Sequence, residues 1–437
     1  MNVVDFTSAL YLDLRHPSRC LAPWQRLTTG VPAALAEAPA VAALSAGLAR
    51  LLGRPAATPA RSSLHALVDV VGALGDGATV WCDSGAYPIA GWAARAAGHV
   101  PRRFAHHDPT DLARQLADLA RSAPGRPAAL NQPAAPDQPA ALNQPPDPDR
   151  PAASNQPLAA GLARPGAPDQ PLADDLAWPW GAGLADPAQS LAVGLRRQPA
   201  AGGGRPLVLC DGYCPGCGRV APIDEYLRVV RQAGGLVIVD DTQAVGVLGR
   251  PGGAGTPAWL GISGPGLVTV ASLAKGLGVP MAVVGGDPHV IARIRARGPA
   301  RQHGSAPSAA DLAATAYALK CNAAEGDRRR ERLTTSVRRL RSTLAARGIR
   351  LTGGLFPVQS TPAGSPAAAA ALTSALLRRG VRAVAHRPQC RPGTAAVSLL
   401  ITAAHTTADI DRAATALAAE LPAVRNGHSG LLAGVRS

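Results

Sequence analysis

The stretch Leu236-Val237-Ile238-Val239-Asp240-Asp241-Thr242-Gln243 decides the fold. A short, unbroken apolar run after Gly234-Gly235 reads as a strand buried on both faces, with its first polar groups at its carboxyl end. Leu267-Val268-Thr269-Val270 repeats the pattern and runs into Ser272-Leu273-Ala274-Lys275-Gly276-Leu277-Gly278. Working outward, Ala78–Cys82 follows the turn signal Gly75-Asp76-Gly77, and Leu207–Cys210 is a further strand. Helical spacing is present over Ile89–Ala97, Asp111–Arg121 and Ile223–Ala233. Strand alternating with helix predicts an α/β architecture with a mostly parallel sheet. After about Gly298 the chain turns helical and then gives a few strands, which predicts a smaller α+β domain.

In open parallel sheets, ligands sit beyond the carboxyl ends of the strands. Two strand ends here deliver a carboxylate, Asp240, and an amine, Lys275, to one crevice. That pair is what pyridoxal phosphate requires. The amine forms a Schiff base, and the carboxylate keeps the pyridine nitrogen protonated so that the ring can accept electrons. The basic residues are otherwise almost all arginine, with Lys275 and Lys320 the only lysines. Arginine can neither form a Schiff base nor lose its proton.

The formal net charge of +15 invites a nucleic-acid reading. The arginines, however, cluster on helix-like stretches such as 328–332 and 338–341, which read as a solvated helix face, and stacking aromatics are scarce. No long apolar run suggests a membrane span, and the first residues lack a signal-peptide layout, so a cytoplasmic protein is expected. The seven cysteines are odd in number and scattered, which does not suit a disulfide framework. Cys214 and Cys217 form a C-x-x-C pair, but no second pair or histidine follows at a zinc spacing, so no metal site is expected. Between about Arg126 and Gly204 a hexapeptide beat of Asn/Asp-Gln-Pro units in Ala and Pro reads as a low-complexity insertion.

With these residues in view, a resemblance emerges. Val239-Asp240-Asp241-Thr242-Gln243-Ala244-Val245-Gly246-Val247-Leu248-Gly249 resembles the V-D-[DE]-x-H-x-x-G-x-x-G of the α-oxoamine synthases, and Ser272–Gly278 resembles their [ST]-x-x-K-x-x-G. Asp211-Gly212 to Ala221-Pro222, Asp5–Leu12, Gly393-Thr394 and Thr402–Ile410 resemble further stretches of that family. The resemblance implies the fold type I of pyridoxal-phosphate transferases and pyridoxal 5'-phosphate as cofactor. It implies that Lys275 binds the cofactor, Asp240 bonds the pyridine nitrogen, Ser272 binds the phosphate, and the Ser63 and Leu64 backbone N–H groups join it at a helix start. Ser305 is expected to reach a partner's phosphate site in a homodimer. Asp241 is a second candidate for the ring nitrogen, with a turn or cap role as the alternative.

Departures from the family are as informative. Gln243 stands where a histidine bonds the cofactor's phenolic oxygen, and Gly85 stands where a histidine stacks on the ring, with Tyr87 a nearby substitute. Pro215 replaces a serine, and Ala9 replaces an asparagine that contacts the substrate. Ser398 stands where an arginine clamps the substrate carboxylate, for which Arg387 or Arg391 are the available replacements.

The expected organisation is an N-terminal segment, 1–26, packing with the small domain. A large cofactor domain over 27–297 is interrupted by the insertion at 126–204, and a small domain follows over 298–437. Expected chemistry is condensation of an acyl thioester with a small amine or amino acid, or transamination. The alternative is a degenerate, non-catalytic member acting as a scaffold or regulator.

Overall fold

The structure is a computed structural model that describes residues 3–17, 19, 27–122 and 204–433, with side chains through Leu421. The low-complexity insertion lies outside the described residues, except for Gly204. The strands are β1 (Val4–Asp5), β2 (Ala56–Ala60), β3 (Thr79–Asp83), β4 (Arg102–Phe104), β5 (Pro206–Asp211), β6 (Tyr213–Cys214) and β7 (Arg219–Val220). They continue with β8 (Leu236–Asp240), β9 (Leu267–Ser272), β10 (Ala282–Gly286), β11 (Val358–Pro362), β12 (Val381–Arg382), β13 (Val384–His386) and β14 (Ala396–Leu400).

The central sheet has seven strands in the order β2-β10-β9-β8-β5-β3-β4. Pairing is parallel from β9 through β8, β5 and β3 to β4, whereas β10 runs antiparallel to both neighbours. The exception has a simple cause. A parallel return needs a crossover of a dozen or more residues, and the link from Ser272 to Ala282 is too short for one. The chain folds back as a hairpin, and Lys275 sits in its loop.

Both faces of this sheet are covered, so its strands are apolar on both sides. Val80, Leu207, Leu209, Ile238, Val268 and Val270 join a core with helices Ser63–Leu74, Ile89–Ala96 and Pro288–Arg297. The alternate residues Trp81, Val208, Cys210, Val237, Val239 and Leu267 pack with Phe104 of β4 and with Tyr226 of helix Ile223–Arg231 on the other face. Each fully buried Leu, Ile or Val contributes roughly 1.5–3 kcal/mol.

The C-terminal part holds a three-stranded antiparallel sheet, β11-β14-β13, with helices Pro366–Arg378 and Thr407–Ala433. β1 pairs with β12, which ties the chain start to this part. Helix Ala309–Ala345 links the two sheets and starts in a reciprocal cap between Ser308 and Asp311. Arg328, Arg332, Arg338 and Arg339 are exposed, as a solvated face requires, whereas three other arginines of the helix turn inward. Arg329 donates to the Leu12 and Asp13 carbonyls, Arg330 to the Gly246 carbonyl, and Arg341 to the Leu351 carbonyl. The Leu12, Asp13 and Gly246 carbonyls are far away in sequence, so Arg329 and Arg330 fasten distant loops to the helix.

Candidate active site

Strand alternation sorts the charged residues at the carboxyl edge of the central sheet. Asp211 and Asp240 are register partners on β5 and β8, two residues beyond Leu209 and Ile238. A period of two puts both on the face covered by helix Ser63–Leu74, and it puts Ser272 there as well, two beyond Val270. Asp83 and Asp241 fall on the opposite face.

The register also carries the helix start to this edge. Ala282 on β10 pairs with both Ala60 and Ser272. The chain leaving Ala60 therefore enters its helix at the level of Ser272, about 10 Å away across two strand spacings. Ser62 caps that helix by accepting from the His65 N–H at 3.3 Å. The N–H groups of Ser63 and Leu64 have no acceptor within the helix and lie at its positive end.

Lys275 faces Asp240 and Asp211. Burial lowers the pKa of its amine, and the two carboxylates work against that shift without cancelling it. Burial raises Asp240, which hydrogen bonds from Thr242 and then the charge of Lys275 partly offset, while Asp211 is driven well above the carboxylate range by burial and then by the charge of Asp240. The Tyr87 N–H donates to both Asp211 oxygens, at 3.2 and 3.0 Å. Two acids on adjacent strands with one amine form a site short of positive charge, which a protonated pyridine ring would supply.

The Lys275 loop is held against the Asp240–Gly246 loop by two glycines. A Cβ on Gly276 would lie 2.2 Å from the Val245 carbonyl oxygen, and one on Gly246 would lie 2.9 Å from the Gly276 Cα. Gly276→Ala is therefore expected to push the two loops apart. Overpacking costs about 1–3 kcal/mol, so the variant should melt lower and hold cofactor more weakly than the parent, as read by thermal denaturation and equilibrium dialysis.

Gln243 accepts a 2.8 Å bond from the hydroxyl of fully buried Tyr11 at its Oε1. The amide is thereby fixed with its NH2 group as the remaining donor, which is what a phenolic oxygen needs. Tyr11 was not singled out in the sequence, because its bond spans 232 positions. Asp241 is fully buried, and its Oδ2 accepts from the Thr256 N–H at 2.7 Å. It holds a loop on the face away from Lys275, in agreement with the turn or cap alternative. The Ser272 Oγ accepts from the Ala274 N–H, and its own N–H donates to the Thr242 hydroxyl.

Other expected positions fall elsewhere. A Cβ on Gly85 would lie 2.3 Å from the His106 Nδ1, so the imidazole of His106 fills the space that a side chain at 85 would take. That ring turns to Asp83 and Cys217. Tyr87 is 60% exposed and meets the site through its backbone. Ser305 is exposed, bridges to Pro32 and lines a shallow depression with Arg61 and His65. Arg387 and Arg391 are both exposed, and Ser398 is buried between the Ser360 hydroxyl at 2.6 Å and the His386 Nε2 at 2.7 Å.

The profile of the aminotransferase class I and II family matches residues 191–417, just over half of the chain. The chain belongs to this family. Its members are pyridoxal-phosphate-dependent transferases, and the fold type I inferred from the sequence is theirs. Within the family the chain is similar to the 8-amino-7-oxononanoate synthases of Halorhodospira halophila and Marinobacter nauticus, at 35% and 34% identity over 217 residues. Those matches cover 49% of this chain and 54% and 55% of the relatives, so the chain spans about half the length of the curated relatives it matches. In three dimensions it is similar to Sphingomonas wittichii serine palmitoyltransferase, with a TM-score of 0.69 and 16% identity over 97% of this chain and 88% of that one. It is also similar to the 8-amino-7-oxononanoate synthase of Francisella tularensis, with a TM-score of 0.61 and 16% identity over 96% and 98%. Among the described residues, no helix is long and apolar enough to cross a membrane.

Proposed function

We propose that this chain is a pyridoxal-phosphate-dependent transferase of the α-oxoamine synthase kind, joining an acyl group carried as a thioester to a small amine or amino acid. The observation that carries the reading is the half-buried Lys275, whose amine interacts with Asp240 and Asp211 at the carboxyl edge of a parallel sheet. Lys275 holds the cofactor and, with its lowered pKa, has a larger neutral, nucleophilic fraction near neutrality than an exposed lysine. Asp240 keeps a proton on the ring nitrogen. Ser272 and the Ser63 and Leu64 N–H groups bind the phosphate, and the Gln243 NH2 donates to the phenolic oxygen. Gln243 cannot titrate as the family's histidine can, so it positions and does not relay protons. The cofactor, when bound, supplies an electron sink for a carbanion at the substrate's α-carbon. In this reading the working form is a homodimer, with Ser305 directed to the partner's phosphate site.

The test is one absorbance spectrum followed by additions. A near-violet band removed by borohydride establishes the cofactor link. Release of the free thiol from an acyl thioester in the presence of an amine then establishes condensation. A cofactor-loaded protein that turns over neither thioesters nor oxo acids with any amine would favour the non-catalytic alternative.

The substrate carries a prediction of its own. The Ser398 hydroxyl is already engaged by Ser360 and His386, Ala9 offers no side-chain donor, and Arg387 and Arg391 extend to solvent. A carboxylate buried without partners costs several kcal/mol. Glycine and alanine should therefore fail to saturate the spectral change below ~10 mM. Saturation by glycine in the micromolar range would show that another cation clamps the carboxylate. Placing an arginine at this position, Ser398→Arg, has a structural cost. A guanidinium would have to displace the buried Ser360–Ser398–His386 network, so loss of stability is expected before any gain in binding.

A further inference from the structure

The side chains of His106, Cys214, Cys217 and Cys390 converge with their ligating atoms all within 4.8 Å of one another. We propose that these four residues bind one zinc ion in a closed, structural site. The inference is independent of the reading of Lys275. In a tetrahedral site with Zn–S near 2.3 Å and Zn–N near 2.0–2.1 Å, neighbouring ligand atoms stand about 3.4–3.8 Å apart. The His106 Nε2 to Cys217 Sγ separation is 3.4 Å. Three thiolates and one imidazole suit zinc over magnesium or calcium, which take oxygen ligands. Four protein ligands leave no open position, which is the mark of a structural site and not a catalytic one.

The surroundings are those of a metal-bound imidazole. The His106 Nδ1 lies 2.6 Å from the Asp83 Oδ1, which fixes the tautomer and presents the Nε2 lone pair to the sulfurs. Asp83 is itself held by the N–H groups of Gly85 at 2.7 Å and His107 at 3.0 Å and by the Tyr226 hydroxyl at 3.3 Å. Cys214-Pro215-Gly216-Cys217-Gly218 forms a tight turn between β6 and β7, closed by the Gly218 N–H on the Cys214 carbonyl at 2.8 Å. A Cβ on Gly216 would lie 2.7 Å from the Cys390 sulfur, so glycine is what lets Cys390 reach the pair.

The ligands come from three separate loops. His106 follows β4, the cysteine pair caps the hairpin after β5, and Cys390 lies between β13 and β14. The ion thus ties the central sheet to the C-terminal sheet beside Gly85. It accounts for two departures from the family together, since Pro215 shapes the turn and Gly85 makes room for the His106 ring. Spacing along the sequence offers Cys214 and Cys217 no partner, because both His106 and Cys390 are remote in the chain.

The test uses the full chain purified under reducing conditions without chelator. Elemental analysis should find about one zinc per chain. Replacement by Co2+ should give thiolate-to-cobalt charge transfer in the near ultraviolet and the visible bands of a tetrahedral ion. Cys390→Ser and His106→Ala should each reduce bound zinc to about one-tenth or less and abolish the fall in Tm that chelator causes in the wild type, while Cys321→Ser keeps both. Because a ligand variant can fail to fold, the wild-type arms stand alone. Folded wild type that holds no zinc after incubation with ZnCl2 and gives no tetrahedral cobalt spectrum overturns the proposal. So does a Cys214–Cys217 or Cys217–Cys390 disulfide mapped in protein kept reduced, or zinc retained in both ligand variants.

Discussion

Lys275→Ala is expected to leave a folded protein to which borohydride can no longer fix the cofactor. The lysine sits in the loop of the β9–β10 hairpin, where its amine faces Asp240 and Asp211. The chain has one other lysine, Lys320, which is exposed on helix Ala309–Ala345 and lines a groove against helix Ala40–Leu52. That groove shares no lining residue with the Asp211, Asp240 and Lys275 site, so no amine is expected to replace the lost one. In its proposed role Lys275 both anchors the cofactor and moves protons, so its removal should lower turnover by about 10²–10⁴-fold. The measurement is intact mass after borohydride treatment, with peptide mapping of the wild type to the segment holding Lys275. Cofactor still fixed covalently in the variant would remove Lys275 from its assigned role.

Asp240→Asn should fold and bind cofactor but lose most of its turnover. An amide cannot balance a pyridinium charge in a buried site. A hydrogen bond to a charged group is worth about 1.5–3 kcal/mol, which corresponds to roughly 10- to 150-fold in rate. The neighbouring variant is the control. Asp241→Asn keeps an oxygen for the Thr256 N–H and lies on the opposite face of the sheet, so its turnover should change by less than about 1 kcal/mol in barrier.

Asp241 instead shows itself in stability. Burial pushes its pKa up to about 6, so between the ordinary carboxylate value and pH 6 the folded state binds more protons than the unfolded. Its contribution favours folding below about pH 4 and is lost as the pH rises through 6. The Tm difference between wild type and Asp241→Asn should therefore shift in the variant's favour from pH 4.5 to pH 8. Equal turnover loss in the two variants would defeat the assignment of Asp240.

The chemistry-bearing strand ends were legible because they are local. Apolar runs such as Leu236–Val239 and Leu267–Val270 specify buried strands, and whatever follows them must lie at the carboxyl edge. Lys275 and Asp240 could thus be placed in one crevice from spacing alone, and the resemblance to a family of pyridoxal-phosphate enzymes added their roles. The choice between Asp240 and Asp241 needed the sheet, since only the register with Asp211 and Val270 fixes which of the two adjacent carboxylates shares a face with Lys275.

The Tyr11 bond that orients Gln243, the Arg329 and Arg330 anchors of the long helix and the convergence of His106 and Cys390 on Cys214 and Cys217 were decided by tertiary structure. Each is a contact between segments remote in the chain. The periodicity of a sequence records which face a residue buries, whereas the neighbour it meets on that face is chosen by how the layers close.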